Sequence, residues 1–193
     1  MKQLSKYINE TLNCSNNEHI ESNCSCSEHI SEWKLTDDSK IEKREISPFN
    51  KHPQTKDELR ESILYALKNK KRQNELLQMI DTSEITDMSC LFSADPDSYL
   101  KKHGVDMTKV EELNLSTWDT SNVSNMSGMF EGCISLKKII CYFDTEKVWD
   151  FRDMFWNCFD LEEVTGIEDW DVFEGKTVGM FQGCGKLSLP SWW

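Results

Sequence analysis

The architecture of this chain rests on the stretch Trp118-Asp-Thr-Ser-Asn-Val-Ser-Asn-Met-Ser-Gly-Met-Phe130, which recurs in related form three more times. The other copies end at Phe92, Phe155 and Phe181. The steps between the later phenylalanines are 25 and 26 residues, whereas the first step is 38 residues and contains an insertion at about residues 93–107. A period of about 25 residues indicates a repeat protein in which each unit packs on its neighbours.

Each repeat contains two apolar groups. In the second repeat one group has helix-like spacings of 3, 3, 1 and 3, and it consists of Val123, Met126, Met129, Phe130 and Cys133. The other group is short and extended, as in Leu136-Lys-Lys-Ile139-Ile-Cys141, and has the spacing of a leucine-rich-repeat strand. We therefore predict an α/β fold, a short leucine-rich-repeat-like solenoid with one strand and one helix per coil.

Several residue types recur at fixed positions of the repeat. One acidic position is predicted to cap the helix of each coil and is occupied by Asp81, Asp119, Asp144 and Asp171. An aromatic position is expected to face the core and is occupied by Trp118, Phe143 and Trp170. A thiol position is expected to form a column of free, buried cysteines, Cys133, Cys158 and Cys184.

The chain divides into three parts. Residues 1–51 are expected to form an N-terminal tail, a short amphipathic helix followed by a largely disordered segment. Residues 52–80 are expected to form a capping helix and entry segment, because Thr55-Lys-Asp-Glu58 is a capping box that precedes an apolar stripe. Residues 81–193 are expected to form the solenoid, with the insertion protruding as a loop and the C-terminal tryptophans covering the last coil.

Composition excludes several partners. The 34 acidic and 22 basic residues give a net charge of −12, which disfavours nucleic acid because phosphate binding needs a basic face. No apolar run is long enough to insert into a membrane. The first dozen residues lack the apolar stretch of a secretory signal, so we expect cytoplasmic synthesis, with a final location at a cell surface or in a virion left open.

The repeats carry a family resemblance. The run from Val110 to Leu136 resembles a unit of the BspA-like leucine-rich-repeat surface proteins, with their aspartate-threonine-serine, methionine-phenylalanine and glycine-cysteine elements. The resemblance extends over about residues 52–193. It implies protein binding and adhesion on cells, without catalytic residues or cofactors. The predicted function is therefore a non-catalytic protein–protein interaction or surface-display module, and the predicted partner is another protein.

Two alternatives remain open. Ile8-Asn9-Glu10 and Ile30-Ser31-Glu32 resemble the cleavage sites of packaging peptides in tailed-phage internal head proteins, which would make the chain a virion protein. An exported bacterial adhesin is the other alternative, since the BspA-like family implies a surface role.

One cluster in the tail has the residue types of a zinc site. The tail contains Cys14, His19, Cys24, Cys26 and His29, which are zinc-type ligands. Their spacing matches no standard zinc motif, and the segment is a near-duplication typical of a polar linker, so no metal site is assigned.

A contact surface is predicted instead at Trp149 and Trp156. These tryptophans occupy repeat positions that hold Ser124 and Glu131 in the preceding unit, which indicates that both side chains face solvent. An exposed tryptophan pair is a typical protein contact.

Overall fold

The computed structural model describes residues 49–172 and 175–193. Within these residues, three α-helices come first, α1 (Lys56–Lys68), α2 (Gln73–Gln78) and α3 (Tyr99–Lys102). Three strands are then formed, β1 (Glu112–Asn114), β2 (Lys138–Ile140) and β3 (Glu163–Thr165). Short 3-10 helices lie at Met107–Lys109 and Ile167–Asp169. None of the described helices is long and apolar enough to span a bilayer.

Helix α1 begins at the predicted capping box. The Thr55 hydroxyl accepts from the Glu58 amide at 3.3 Å, which satisfies one of the free donors of the first turn. The Glu58 carboxylate accepts from the Gln54 amide at 2.8 Å, one residue earlier than the reciprocal bond of a standard box. The apolar stripe, which includes Leu59 and Ile63, is fully buried against the core.

The strands form one parallel sheet in the order β1-β2-β3. Leu113 pairs with Ile139, and Ile139 pairs with Val164, so the register advances by 26 and then 25 residues. The central residue of each strand is buried, and the residues on either side face outward or are half-buried. The repeat period of the sequence is thus the spacing between paired strands.

The apolar group with helix-like spacing is not helical, which corrects the prediction of one helix per coil. Four segments, 87–94, 125–132, 150–157 and 176–183, lie side by side, and we call them the turn ladder. Alternate backbone N–H groups of each of the first three segments donate to the next segment at 2.7–3.0 Å. In the second segment, for example, the donors are the N–H groups of Met126, Gly128, Phe130 and Gly132. Their acceptors, in the same order, are the carbonyls of Asp150, Arg152, Met154 and Trp156.

Within each ladder segment the chain makes successive tight turns. Met129 donates to the Met126 carbonyl and Cys133 donates to the Phe130 carbonyl, each across three residues. Gly128 and Gly132 have φ values of 59° and 71°, which glycine adopts without steric cost and which an α-helix excludes. Because of these turns, residues three apart lie on one face of the segment. The same spacing is found in the apolar stripe of a helix.

The aromatic rings of the ladder form a continuous stack in the core. The ring of Phe130 lies 5.4 Å from the rings of Phe92 and Phe155, nearly parallel to both. Phe155 stacks in the same way on Phe181 at 5.6 Å. Each phenylalanine comes from a different repeat, so the stack buries apolar surface that a single repeat could not bury alone.

The predicted aromatic position also lies in the core, and the insertion does not protrude. Trp118, Phe143 and Trp170 are at most 5% exposed, as expected for core residues. Within the insertion, Leu100 on α3 and Met107 are almost fully buried, which corrects the expectation of a solvent loop. Apolar side chains at these two positions bring the insertion back onto the core.

Candidate interaction surface

Trp149 is exposed at the start of the third ladder segment. The side chain is 49% exposed, and the Lys176 ammonium lies 4.7 Å from the centre of the indole ring. Lys176 is positioned there because Asp150 and Lys176 pair across adjacent ladder segments. This cation–π contact holds one face of the ring and leaves the rest available to a partner.

Trp156 lies at the other end of the same segment and is half-buried. The apolar side chains near that end are Ile134 and Phe159, which are 40% and 51% exposed. Asp160 donates its amide to the Ile134 carbonyl at 3.2 Å, so the backbones beside Ile134 and Phe159 are adjacent. Sequence reasoning missed these two residues, although both come directly after the buried cysteine of their repeat.

The predicted tryptophan pair is therefore divided between two places. Trp149 precedes the segment and Trp156 is its next-to-last residue, and the ring contacts across the described residues include none between them. The candidate surface therefore consists of a Trp149–Lys176 site beside the start of the third ladder segment and a Trp156–Phe159–Ile134 site beside its end. Both sites offer aromatic or aliphatic contact area on a rigid backbone.

The repeated aspartates do not cap helices, and this corrects another prediction. The carboxylates of Asp81, Asp119 and Asp144 each accept from the amide two residues later, at 3.0–3.1 Å. Such bonds stabilise turns. They lower the pKa of Asp81 and Asp119, chiefly through the backbone N–H donors, so these carboxylates stay ionised at neutral pH.

The chemistry of the repeated thiol position is also structural. Cys133, Cys158 and Cys184 are buried free thiols. Burial raises the pKa of each thiol, to about 11 for Cys184 and higher for the other two. A thiol that stays protonated at neutral pH is a poor nucleophile and metal ligand.

One groove of about 750 Å³ lies between the end of α1, α2 and the residues before β1. Its basic side chains come from Lys68, Lys70, Lys71, Arg72 and Lys109. Its acidic side chains come from Glu75, Asp106, Glu111 and Glu112. Arg72 pairs with Glu75 at 2.7 Å, and Lys109 pairs with Asp106 at 3.4 Å. The nearly balanced charges do not form the concentrated basic site that a phosphate ligand needs.

Some predicted residues lie outside the described part of the chain. These are the tail cluster Cys14, His19, Cys24, Cys26 and His29, together with both predicted cleavage sites. Across residues 49–172 and 175–193, no group of three or more His, Cys, Asp or Glu side chains could hold a metal ion.

A family model matches the C-terminal half of the chain. The family described as Mycoplasma protein of unknown function, DUF285, matches residues 98–192. The match covers just under half of the chain and includes all three strands and the last three ladder segments. No curated protein and no solved structure matched the chain.

Proposed function

We propose that this chain is a non-catalytic protein–protein interaction module for surface display, in which residues 81–193 form a short leucine-rich-repeat-like solenoid. The parallel register of 25 to 26 residues supports the solenoid part of the proposal. The surface part of the proposal is supported by the BspA-like resemblance of residues 52–193, which overlaps the match to the Mycoplasma family at residues 98–192.

The observation that carries the functional part is the exposure of Trp149. A large indole ring that is half in solvent, with Lys176 over one face, offers apolar area that a partner would bury on binding. Tryptophan is enriched at the energetic centres of protein interfaces. Phe159 and Ile134 extend the same exposed apolar character along the segment.

The repeated polar residues support a binding role over catalysis. The aspartates of the repeat form turns, and the thiols are buried and protonated. These structural roles account for the chemistry-bearing side chains of the repeat without a reaction.

Partner capture with matched variants tests the proposal. The full chain is immobilised and challenged with surface extracts of candidate partner cells, beside Trp149→Ala, Phe159→Ala and a control, Tyr142→Ala. Tyr142 is also exposed but lies after β2, away from the ladder. We expect one protein to be retained by wild type and Tyr142→Ala and lost from Trp149→Ala. Identical retention by all variants would contradict the assignment.

A further inference from the structure

The fourth ladder segment presents a row of backbone donors without acceptors. The N–H groups of the third segment that donate onward belong to Phe151, Asp153, Phe155 and Asn157. The 26-residue step places Thr177, Gly179, Phe181 and Gly183 at the equivalent positions. The N–H groups of these four residues make no hydrogen bond to any residue that the structure describes.

On the opposite side of the ladder, helix α1 contacts the first segment. Lys56, at the start of α1, donates to Asp87 and to Ser89 in the first segment. Leu91 and Ser93 of that segment are almost fully buried, so their carbonyls are out of reach of another molecule. The two ends of the ladder therefore differ. The acceptor side is covered, whereas on the donor side Gly183 is exposed, Thr177 and Gly179 are half-buried, and Phe181 alone is buried.

The open side has an apolar border. Val178 is 77% exposed between the donors of Thr177 and Gly179, and Gly183 is exposed as well. Trp193 is 53% exposed and contacts the Phe181 ring edge-on at 4.9 Å. Donors bordered by apolar side chains suit a peptide better than a small hydrated anion, which would lose its water against them.

We propose that this open edge binds a segment of another protein that adopts the turn conformation of the ladder and pairs with the edge through its main chain. Carbonyls at every second residue of that segment accept from Thr177, Gly179 and Gly183, as each ladder segment accepts from the one before it. Addition of a strand to an exposed edge is an established mode of peptide recognition. Two copies of this chain do not satisfy each other, because donors would face donors and the acceptor side is covered by α1.

A synthetic peptide tests this pairing. The probe copies residues 122–136 with C133S to prevent disulfide formation, because its parent segment accepts four such bonds within the chain. Amide spectra of the full chain are recorded with the peptide and with a scrambled version. We expect saturable shifts and slowed hydrogen exchange at Gly179 and Gly183, with Gly128 and Gly132 unchanged. Protection of Gly179 and Gly183 before peptide addition, or no saturable response, overturns the proposal.

Two neighbouring proline variants separate the donor row from the surrounding surface. Thr177→Pro removes one donor of the row, whereas Val178→Pro removes an N–H that is not part of it. We expect Thr177→Pro to weaken peptide binding about fivefold and Val178→Pro to leave it unchanged, since one hydrogen bond contributes about that factor. If Thr177→Pro fails to fold, an ester in place of the Thr177 amide removes the same donor. Equal affinities contradict main-chain pairing.

This edge adjoins the Trp149 site, since Lys176 directly precedes Thr177, but its donors are main-chain groups and do not include the indole ring. Trp149→Ala is expected to bind the peptide with wild-type affinity, so loss of partner capture at Trp149 and loss of peptide binding at the edge are separate outcomes. A Trp149→Ala variant that loses the peptide would place the peptide on the tryptophan surface and overturn the edge assignment.

Discussion

The thiol of Cys158 donates to the carbonyl oxygen of Phe130 in the preceding repeat, with 3.1 Å between sulfur and oxygen. Cys133 makes the same bond to Phe92, and Cys184 makes it to Phe155. Each thiol thus joins the backbone of one repeat to that of its neighbour while filling a small apolar site. This dual role explains why cysteine recurs at a position where neither a disulfide nor a metal site is formed.

The folding stability is expected to fall at alkaline pH because of the buried free cysteines, which include Cys141. Burial raises the pKa of Cys184 to about 11 and that of Cys141 to about 12, from an ordinary value of 9.0. The unfolded chain loses these protons near pH 9 while the folded chain keeps them, so stability present below that pH is lost as pH rises toward 11–12. For each thiol, the free energy of unfolding falls by up to about 1.4 kcal/mol per pH unit in this window.

Urea unfolding between about pH 8 and about pH 10.5 measures this effect, because the range spans the ordinary thiol pKa. Cys184→Ala serves as the control, because its smaller slope should reflect the loss of one titrating thiol. An identical pH dependence for the variant and wild type would show that the thiols do not cause the loss.

The rings of the phenylalanine stack are expected to contribute unequally to folding stability, with interior rings contributing more than the last one. Phe130→Ala should destabilise the fold by about 3–5 kcal/mol, because a fully buried ring with stacked neighbours on both sides leaves a cavity. Phe181→Ala should cost less, since Phe181 is the last ring of the stack and is 8% exposed. Chemical denaturation of the two variants makes the comparison, and equal losses would argue against stacking between repeats.

Asp150 is expected to stabilise the fold through two separable interactions. Its carboxylate accepts from the Arg152 amide at 3.1 Å and pairs with the Arg152 guanidinium at 2.6 Å. Asn125 occupies the same ladder position in the preceding segment and makes the equivalent amide bond, so Asp150→Asn should keep the turn. We expect a loss of about 1 kcal/mol for Asp150→Asn and about 2–3 kcal/mol for Asp150→Ala.

The pH dependence provides the check on Asp150. Hydrogen bonding from Arg152 lowers the pKa of the Asp150 carboxyl, so its contribution is present above the ordinary value of 3.8 and is lost as pH falls below it. Thermal unfolding between about pH 5 and about pH 2.5 should show a weaker acid dependence for Asp150→Asn. If the stability of Asp150→Asn falls with acid as steeply as that of the wild type, the ion pair is not the cause of the acid dependence.

Gly166 is expected to tolerate no side chain. Its φ is 87°, and an added Cβ would lie 2.5 Å from the Cys141 carbonyl oxygen in the neighbouring repeat. Gly166→Ala should therefore destabilise the protein by more than about 1 kcal/mol. Gly185→Ala is the matched control, because a Cβ there meets nothing within 4 Å. Similar melting temperatures for the two variants would contradict the contact.

The sequence predicts local and periodic features well. Helix α1 follows from Thr55 and Glu58, which act within one turn, and the burial of Trp118 follows from its repeat position. The conformation of the ladder segments could not be obtained from apolar spacing alone. Tight turns and an α-helix both bring residues three apart onto one face. Gly128 and Gly132 were the available signal, since two glycines are unfavourable within one short helix.

The interaction surface depends on contacts that no spacing rule contains. The exposure of Trp149 follows from its repeat position, but its contact with Lys176 requires the register between the third and fourth segments. Separation of Trp149 from Trp156 likewise depends on the ladder, because seven residues in a helix would have returned to nearly the same face.

The alternate main-chain bonds of the turn ladder run in one direction, since each of the first three segments donates at these positions to the segment that follows it. Any interior unit therefore offers its neighbours the same interface as any other. Copying or deleting a block of about 25 codons would lengthen or shorten the protein without altering the groups presented at either extremity. Repeat number can vary during evolution while the end surfaces stay the same.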